Sequence, residues 1–388
     1  MFIKKGDSAY ALPSCADSFF DKYLDVFDEV HVIGESPKSY LDASKFIKIN
    51  NSNISVDVIA SNTHPKDFIN DIKIRKDLSK IIKAAEAILI KPSSRKGMMA
   101  IEIAKKYHKP YMIELTGDIH NALVQNPSRL KRLYAPHLYR NIKKHIKDCK
   151  FGLYVSKSYL QEQFPIDGIQ CGCADVVLSK SDINVLKQRI ELIENKDYKR
   201  DIVNLCLIGF YQTNMKGIDT AIRSLSKLPQ NYVLNVLGNG TKESQEKWFQ
   251  YADRYGVRER IVFHDSVNGS SAVCEWMQGM DMMVFPTRSE GFGRVVAEAL
   301  SQGLPCFATN ICTMPELLPK TSLFDLDDDT ELARLLIHYS ENKEDLINLC
   351  KEEFEKAKEY DYERLRERRN AFLYQFLNYC EKYTLNDK

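Results

Sequence analysis

Short apolar runs separated by stretches of helical period recur along the whole chain, and they fall into two series. The first series places strands at 29–33, 87–90, 111–114 and 151–155; the second places them at 203–208, 232–237, 261–263 and 282–285. A parallel sheet carries helices on both faces, so its strands read as near-continuous apolar runs rather than as an alternation. Strands of this kind alternating with amphipathic helices predict an α/β protein built on doubly wound parallel sheets. The polar, lysine-rich stretch 176–200 separates the two series and predicts a linker between a first domain over 1–175 and a second over 201–360. A long helical pattern beginning near residue 361 closes the chain.

A length of 388 residues is enough for two full cores. The 44% hydrophobic and 28% charged content is that of an ordinary globular protein, and a net charge of +2 argues against polyanion binding, so no nucleic-acid partner is expected. No apolar run is long enough to span a bilayer, and the start, Met1-Phe2-Ile3-Lys4-Lys5, lacks the apolar centre of a signal peptide, so a cytoplasmic location is expected. Ten cysteines, none in a C-x-x-C pair, predict reduced thiols. The closest pair, Cys171-Gly172-Cys173, has no further ligands beside it to suggest a metal.

The chemistry concentrates in one stretch. After the run 282–285 comes Pro286-Thr287-Arg288-Ser289-Glu290-Gly291-Phe292-Gly293-Arg294, and then a helical pattern containing Glu298. Gly291 and Gly293 let the backbone approach a ligand closely. They sit where free N–H groups and a helix dipole favour an anion, and a diphosphate fits such a turn. Glu290 on the loop could accept hydrogen bonds from sugar hydroxyls, and Glu298, further into the helix, could reach a ribose diol.

This stretch resembles the donor-sugar motif of glycosyltransferase family 4. The resemblance implies the GT-B architecture, two Rossmann-like domains facing across a cleft, and transfer of a sugar from a nucleotide diphosphate with retention of configuration. It assigns the hydroxyl-binding and ribose-binding roles to Glu290 and Glu298, with Gly291, Phe292, Gly293 and Arg294 lining the donor site. It also implies that the closing helix, about 361–388, crosses back onto the first domain, and that no metal or other cofactor is required beyond the nucleotide-sugar co-substrate, with UDP preferred on family frequency. In the second domain, Leu207-Ile208-Gly209-Phe210-Tyr211-Gln212-Thr213-Asn214-Met215-Lys216-Gly217 resembles the family's phosphate loop, with Gly209 at the turn and Lys216 neutralising the leaving diphosphate. The family often carries an arginine where Phe210 stands, so Lys216, with Arg288 or Arg294 as possible helpers, must supply the missing charge. Gly238-Asn239-Gly240 reads as a plain turn. The segment around Val267 follows a strand end where the family's backbone meets the nucleobase. The acidic run 325–329 suits the cap and first turn of a helix better than a metal-binding D-x-D pair.

The resemblance gives the acceptor to the first domain. Blocks such as Lys91-Pro92-Ser93-Ser94 and Tyr154-Val155-Ser156-Lys157 resemble bacterial capsule and cell-surface polysaccharide glycosyltransferases within the family. Asp118 and His120 lie at a strand's carboxyl end, where open α/β sheets bind ligands, and they are the acceptor-side candidates. The loop Gly6-Asp7-Ser8-Ala9-Tyr10 is expected to face the diphosphate. Between 129 and 150 a basic stretch interspersed with apolar and aromatic residues suits an anionic membrane surface, a peripheral position that a lipid-linked acceptor would explain. Two alternatives share the architecture: a sugar-nucleotide 2-epimerase and a catalytically inactive partner subunit. A dinucleotide-dependent dehydrogenase is disfavoured, since no G-x-G-x-x-G follows the first strand.

Overall fold

The computed structural model describes residues 2–6, 8–12, 15–35, 46–61, 69–126, 128–178, 181–267 and 269–386. Its second domain is organised by six parallel strands: Val203–Ile208, Tyr232–Leu237, Ile261–His264, Met282–Phe285, Cys306–Thr309 and Leu323–Phe324. Their spatial order is third, second, first, fourth, fifth, sixth. The order reverses between Val203–Ile208 and Met282–Phe285, which pair through Leu205 with Met282 and Cys206 with Met283. A reversal sends the two following loops to opposite faces and leaves a crevice at the carboxyl ends, where this type of sheet binds ligands.

The first domain is less regular. Four parallel strands, Ile88–Ile90, Tyr111–Leu115, Phe151–Tyr154 and Ile169–Gly172, form one sheet, and Val30–Glu35 pairs in parallel with Ile54–Ile59. The chain begins, however, with an antiparallel hairpin, Phe2–Lys5 against Ser8–Ala11, which turns at Gly6 with φ +56° and is joined by Ile47–Lys48. The expected loop at 6–10 is therefore a hairpin turn and a strand; Asp7 lies outside the described residues. The hairpin packs on the next strand so closely that a Cβ on Gly34 would lie 2.3 Å from the Phe2 ring. Each of these strands is only two to four residues long and is broken by Lys4, Lys5, Ser8 or Lys48, so none carries an apolar run of strand length.

The span 176–200 also differs from an open linker. Helix Ile183–Asn195, capped by the Asp182 carboxylate on the Asn184 N–H (2.9 Å), buries Leu186, Arg189 and Ile193 against the second core. Asn184, Lys187, Gln188, Glu191 and Glu194 are exposed on the other face, so a polar composition conceals one apolar stripe. Arg189, almost fully buried, donates to the carbonyls of Met277 and Met280. The two crossings between domains run side by side: Leu178 bridges Asp361 in parallel, and Ser181 Oγ donates to Asp361 Oδ1 at 2.8 Å.

After the second crossing, helix Tyr362–Asn386 returns to the first domain. Phe151 on a central strand meets Phe372, Phe376 and Tyr379 at centroid distances of 5.8, 5.5 and 5.3 Å. The Arg366 guanidinium forks onto the Asp25 carboxylate at 2.7 and 2.8 Å, and that pairing lowers the Asp25 carboxyl below its ordinary range. The aromatic contact contributes more than the ion pair, because exposed ion pairs contribute little whereas emptying a buried aromatic site costs about 3–5 kcal/mol. Phe376→Ala should therefore shift the first domain's urea transition by that amount and leave the second domain's in place. An unchanged first transition would show that the helix does not belong to that core.

Candidate active site

The donor-side loop, residues 286–293, is held by its neighbour rather than by itself. Gly217, at φ +69°, stands against the Pro286 carbonyl so closely that a Cβ would lie 1.8 Å from the oxygen. Thr287 Oγ1 and the Arg288 N–H both donate to the Met215 carbonyl, at 3.2 and 2.9 Å. The Arg288 guanidinium forks onto Asp219 at 2.9 and 3.0 Å, donates to the Asn214 carbonyl at 2.9 Å and also reaches Asp327. Burial pushes the Asp219 carboxyl up, but the hydrogen bonds and charge of Arg288 together with the bonds from Asn214 and Thr220 hold it below its ordinary range. Arg288 is thus committed to structure, which corrects its candidacy as a phosphate ligand.

These staples bring Lys216 to Glu290. Lys216 closes the one-turn helix Asn214–Lys216, its ammonium pairs with the Glu290 carboxylate, and it stands 5.0 Å from the Phe285 ring centroid. Gly209 lies beneath the same lysine: a Cβ there would be 2.8 Å from Lys216 Cγ. Gly293 takes φ +91° and starts helix Arg294–Ser301. Phe292 is buried against the Tyr360 ring at 5.0 Å, and Arg294 is exposed on the first turn. Gly238 and Gly240 are packing glycines; a Cβ on Gly238 would fall 1.9 Å from the Gly209 carbonyl oxygen, so the turn also shapes the loop that begins at Gly209.

Glu298 lies inside the protein, 8% exposed, and accepts a hydrogen bond from Ser270 Oγ at 2.7 Å. Burial raises its carboxyl above the ordinary value, against the pull of Ser270 and Arg294. Val267 is exposed just before the helix Ser270–Met277; its neighbour Asn268 lies outside the described residues. The acidic run serves structure: Asp328 caps helix Asp329–Glu341 at the Glu331 N–H (2.9 Å), Asp327 receives Arg288, and Asp329 pairs with Arg223 and Lys227 at 2.7 Å each.

The first domain touches this loop directly. Gly291 packs on Thr116 and Gly117, and a Cβ on Gly291 would lie 2.4 Å from the Thr116 carbonyl oxygen. Asp118 is turned inward: one carboxylate oxygen caps helix Ile119–Val124 at the Asn121 N–H (3.0 Å), and the other accepts Tyr159 O–H at 2.7 Å. Each oxygen thus already accepts one hydrogen bond within the first domain, and the buried carboxylate positions this loop. His120 is half-buried with its ring 4.7 Å from that of Tyr139, and among the described residues its ring nitrogens carry no hydrogen bond. Asn121, Asp219, Ser270 and Glu316 escaped the sequence reading, because each acts on a partner distant along the chain.

Residues 202–342 match the family described as Glycosyl transferases group 1. The chain carries a group 1 glycosyltransferase domain and is a glycosyltransferase. Among curated relatives, Protein CapJ of Staphylococcus aureus is 27% identical over 337 residues, covering 86% of this chain and 82% of CapJ. Lipopolysaccharide glucosyltransferase WaaG of Escherichia coli K12 is 30% identical over 126 residues, 31% of this chain and 32% of that one. Among solved structures, Anabaena HepE in complex with UDP-glucose superposes with a TM-score of 0.61 at 15% identity, over 83% of this chain and 86% of that chain. The fold of this glycosyltransferase is therefore GT-B.

The buried Glu298 supplies a pH test. A carboxyl raised by folding adds stability below its ordinary value of 4.5, and that contribution is lost as pH climbs through the raised value. Glu298→Gln should flatten the fall in thermal midpoint on going from acid to neutral pH and leave the neutral midpoint equal to or above that of the unsubstituted protein. A lower neutral midpoint would show instead that the ionised carboxylate holds the fold.

Proposed function

We propose that this glycosyltransferase moves a hexose, with retention of configuration, from a UDP-sugar to a lipid-linked glycan acceptor in the assembly of a cell-surface polysaccharide. The observation that carries the reading is the Lys216–Glu290 pair, set where the strand order of the second sheet reverses, beside a glycine-rich helix start. The name of WaaG, a lipopolysaccharide glucosyltransferase, supports the cell-surface glycan context, and the UDP-glucose in HepE supports the donor class.

In this reading the donor lies along the carboxyl edge of the second sheet. Its base meets the backbone near Val267, its ribose diol meets Glu298, and its diphosphate lies over Gly209 and Lys216. Lys216 then exchanges the Glu290 carboxylate for a phosphate oxygen, which frees Glu290 to accept hydrogen bonds from the sugar. The bond from the anomeric carbon to the phosphate oxygen breaks while the acceptor oxygen bonds to the same face of that carbon. The acceptor proton passes to the departing phosphate. Charge growing on the diphosphate is met by Lys216, by the N–H groups of 291–293 and by the positive end of helix Arg294–Ser301, groups already in place before the reaction. No protein nucleophile takes part and no metal is assigned a role.

On the acceptor side His120, with unengaged ring nitrogens, is the candidate contact. Close by in sequence, helix Arg129–Ile146 exposes Leu130 and Leu133, each at 79%, together with Arg129, Lys131, Arg132 and Tyr134. Exposed leucines among cations fit a peripheral contact with an anionic membrane, where each cation near the headgroups adds about 1 kcal/mol. Among the described residues no helix is long and apolar enough to cross a membrane.

Thermal unfolding with UDP-, GDP- and ADP-sugars tests the donor site, since a ligand at about 100 times its Kd stabilises the native state by about 2.7 kcal/mol. UDP-sugars should raise the midpoint, and Glu298→Ala should reduce that shift. Glu290→Gln should keep the shift but lower turnover by about 10²- to 10³-fold, the scale of a lost transition-state contact. A shift with another nucleotide class alone would overturn the UDP assignment. Epimerised nucleotide sugar formed without an acceptor would move the activity to 2-epimerisation.

A further inference from the structure

Glu316 belongs to the second domain, yet its carboxylate serves the first. It accepts the backbone N–H groups of Lys157 (2.7 Å), Ser158 (3.1 Å) and Tyr159 (2.6 Å), and also Ser158 O–H (3.1 Å). These N–H groups lie at the start of helix Tyr159–Gln163, whose N-cap residue Ser158 makes no capping bond and whose Leu160 N–H alone is met locally, by Ser156 Oγ at 2.8 Å. A carboxylate from across the cleft thus satisfies donors that would otherwise be orphaned.

The contact continues. Tyr159 O–H donates to Asp118, Asp118 holds the Asn121 N–H, and the Asn121 amide returns to the second domain, donating to the Arg288 carbonyl at 3.2 Å and to Cys312 Sγ at 3.0 Å. Arg288 lies two residues before Glu290, and Cys312 four before Glu316. Cys312 itself takes φ +52°, a left-handed conformation that a non-glycine residue keeps only when its surroundings impose it. The path leaves the second domain at Glu316 and re-enters it beside the donor loop, with the helix that carries His120 enclosed between.

We infer that Glu316 and Asn121 are positioning residues for transfer: they close a hydrogen-bond circuit across the cleft that sets the acceptor-side loop 117–121 against the donor loop 288–291. The inference rests on the transfer reading above for its kinetic consequence, but the circuit itself can be read without substrate. Neither residue touches the donor, so breaking the circuit should separate turnover from donor binding.

The test uses Glu316→Gln, which preserves size but turns an amide N–H₂ toward donors, and Asn121→Ala as a variant that removes only a half-buried side chain. Hydrogen exchange by mass spectrometry on Glu316→Gln should show faster exchange at 157–159 and, through Asp118, at 119–122. Turnover with saturating donor should fall about tenfold in each variant while affinity for UDP stays within about twofold, and the double variant should lose no more than either single one. Exchange confined to 157–159 would overturn the circuit, as would unchanged turnover or losses that multiply in the double variant. If the unsubstituted protein transfers no sugar at all, the function reading fails while the exchange result still decides the circuit.

Discussion

The donor side depends on a backbone contact that admits no side chain. Where the strand order reverses, the loops after Val203–Ile208 and Met282–Phe285 must come together over one crevice, and they do so with Gly217 pressed against the Pro286 carbonyl and Gly238 against that of Gly209. Any Cβ at Gly217 would push the two loops apart, and its left-handed backbone would be strained besides. Once the loops meet, the Arg288 fork onto Asp219 and the Met215 carbonyl fix their register, and Lys216 arrives beside Glu290. The ion pair is thus a consequence of close packing, since a surface lysine and glutamate would not by themselves hold one geometry against their rotamer entropy.

A net charge of +2 conceals how the charges are used. Asp219, Arg288, Asp327, Arg223, Asp329 and Lys227 form one connected set that binds the helix Ile218–Leu225 and the Arg288 loop to the acidic run 325–329. That set fastens the donor loop from behind and leaves Lys216 as the cation facing Glu290. The missing family arginine at Phe210 is therefore not replaced by Arg288, and the exposed Phe210 offers an apolar face instead. In the donor reading proposed above, Lys216, Arg294 and the backbone N–H groups remain to meet a diphosphate's charge.

The second domain was legible because its strands are buried on both faces and its donor motif is contiguous: Glu290, the glycines and Glu298 are read within one strand, loop and helix. Very short strands were not legible, as the hairpin at Gly6 shows, and neither was the apolar stripe of helix Ile183–Asn195 inside the polar stretch 176–200. Long-range partners were the hardest to see. Thr313-Met314-Pro315-Glu316 has the local form of a capping box, in which the glutamate would fold back on its own helix. Its carboxylate instead caps a helix some 157 residues away in sequence, counted to Tyr159. Asp118 shows the same limit: a carboxylate at a strand end is visible in the sequence, but its bond from Tyr159, brought in by the fold, is not.

The hinge and the donor loop are mechanically one piece. Tyr360, one residue before the second crossing at Asp361, packs its ring on Phe292, whose carbonyl in turn accepts Thr313 Oγ1 at 2.9 Å in the loop that leads to Glu316. Lys157, whose backbone N–H goes to Glu316, pairs through its side chain with Glu359 beside the same crossing. A rotation of one domain on the other must therefore disturb Phe292, and with it the N–H groups of 291–293, at the same time as it releases the cap on helix Tyr159–Gln163. Packed interfaces of this kind move between discrete arrangements rather than deforming gradually. Moving one domain on the other and reshaping the loop at 291–293 are accordingly one event in this fold.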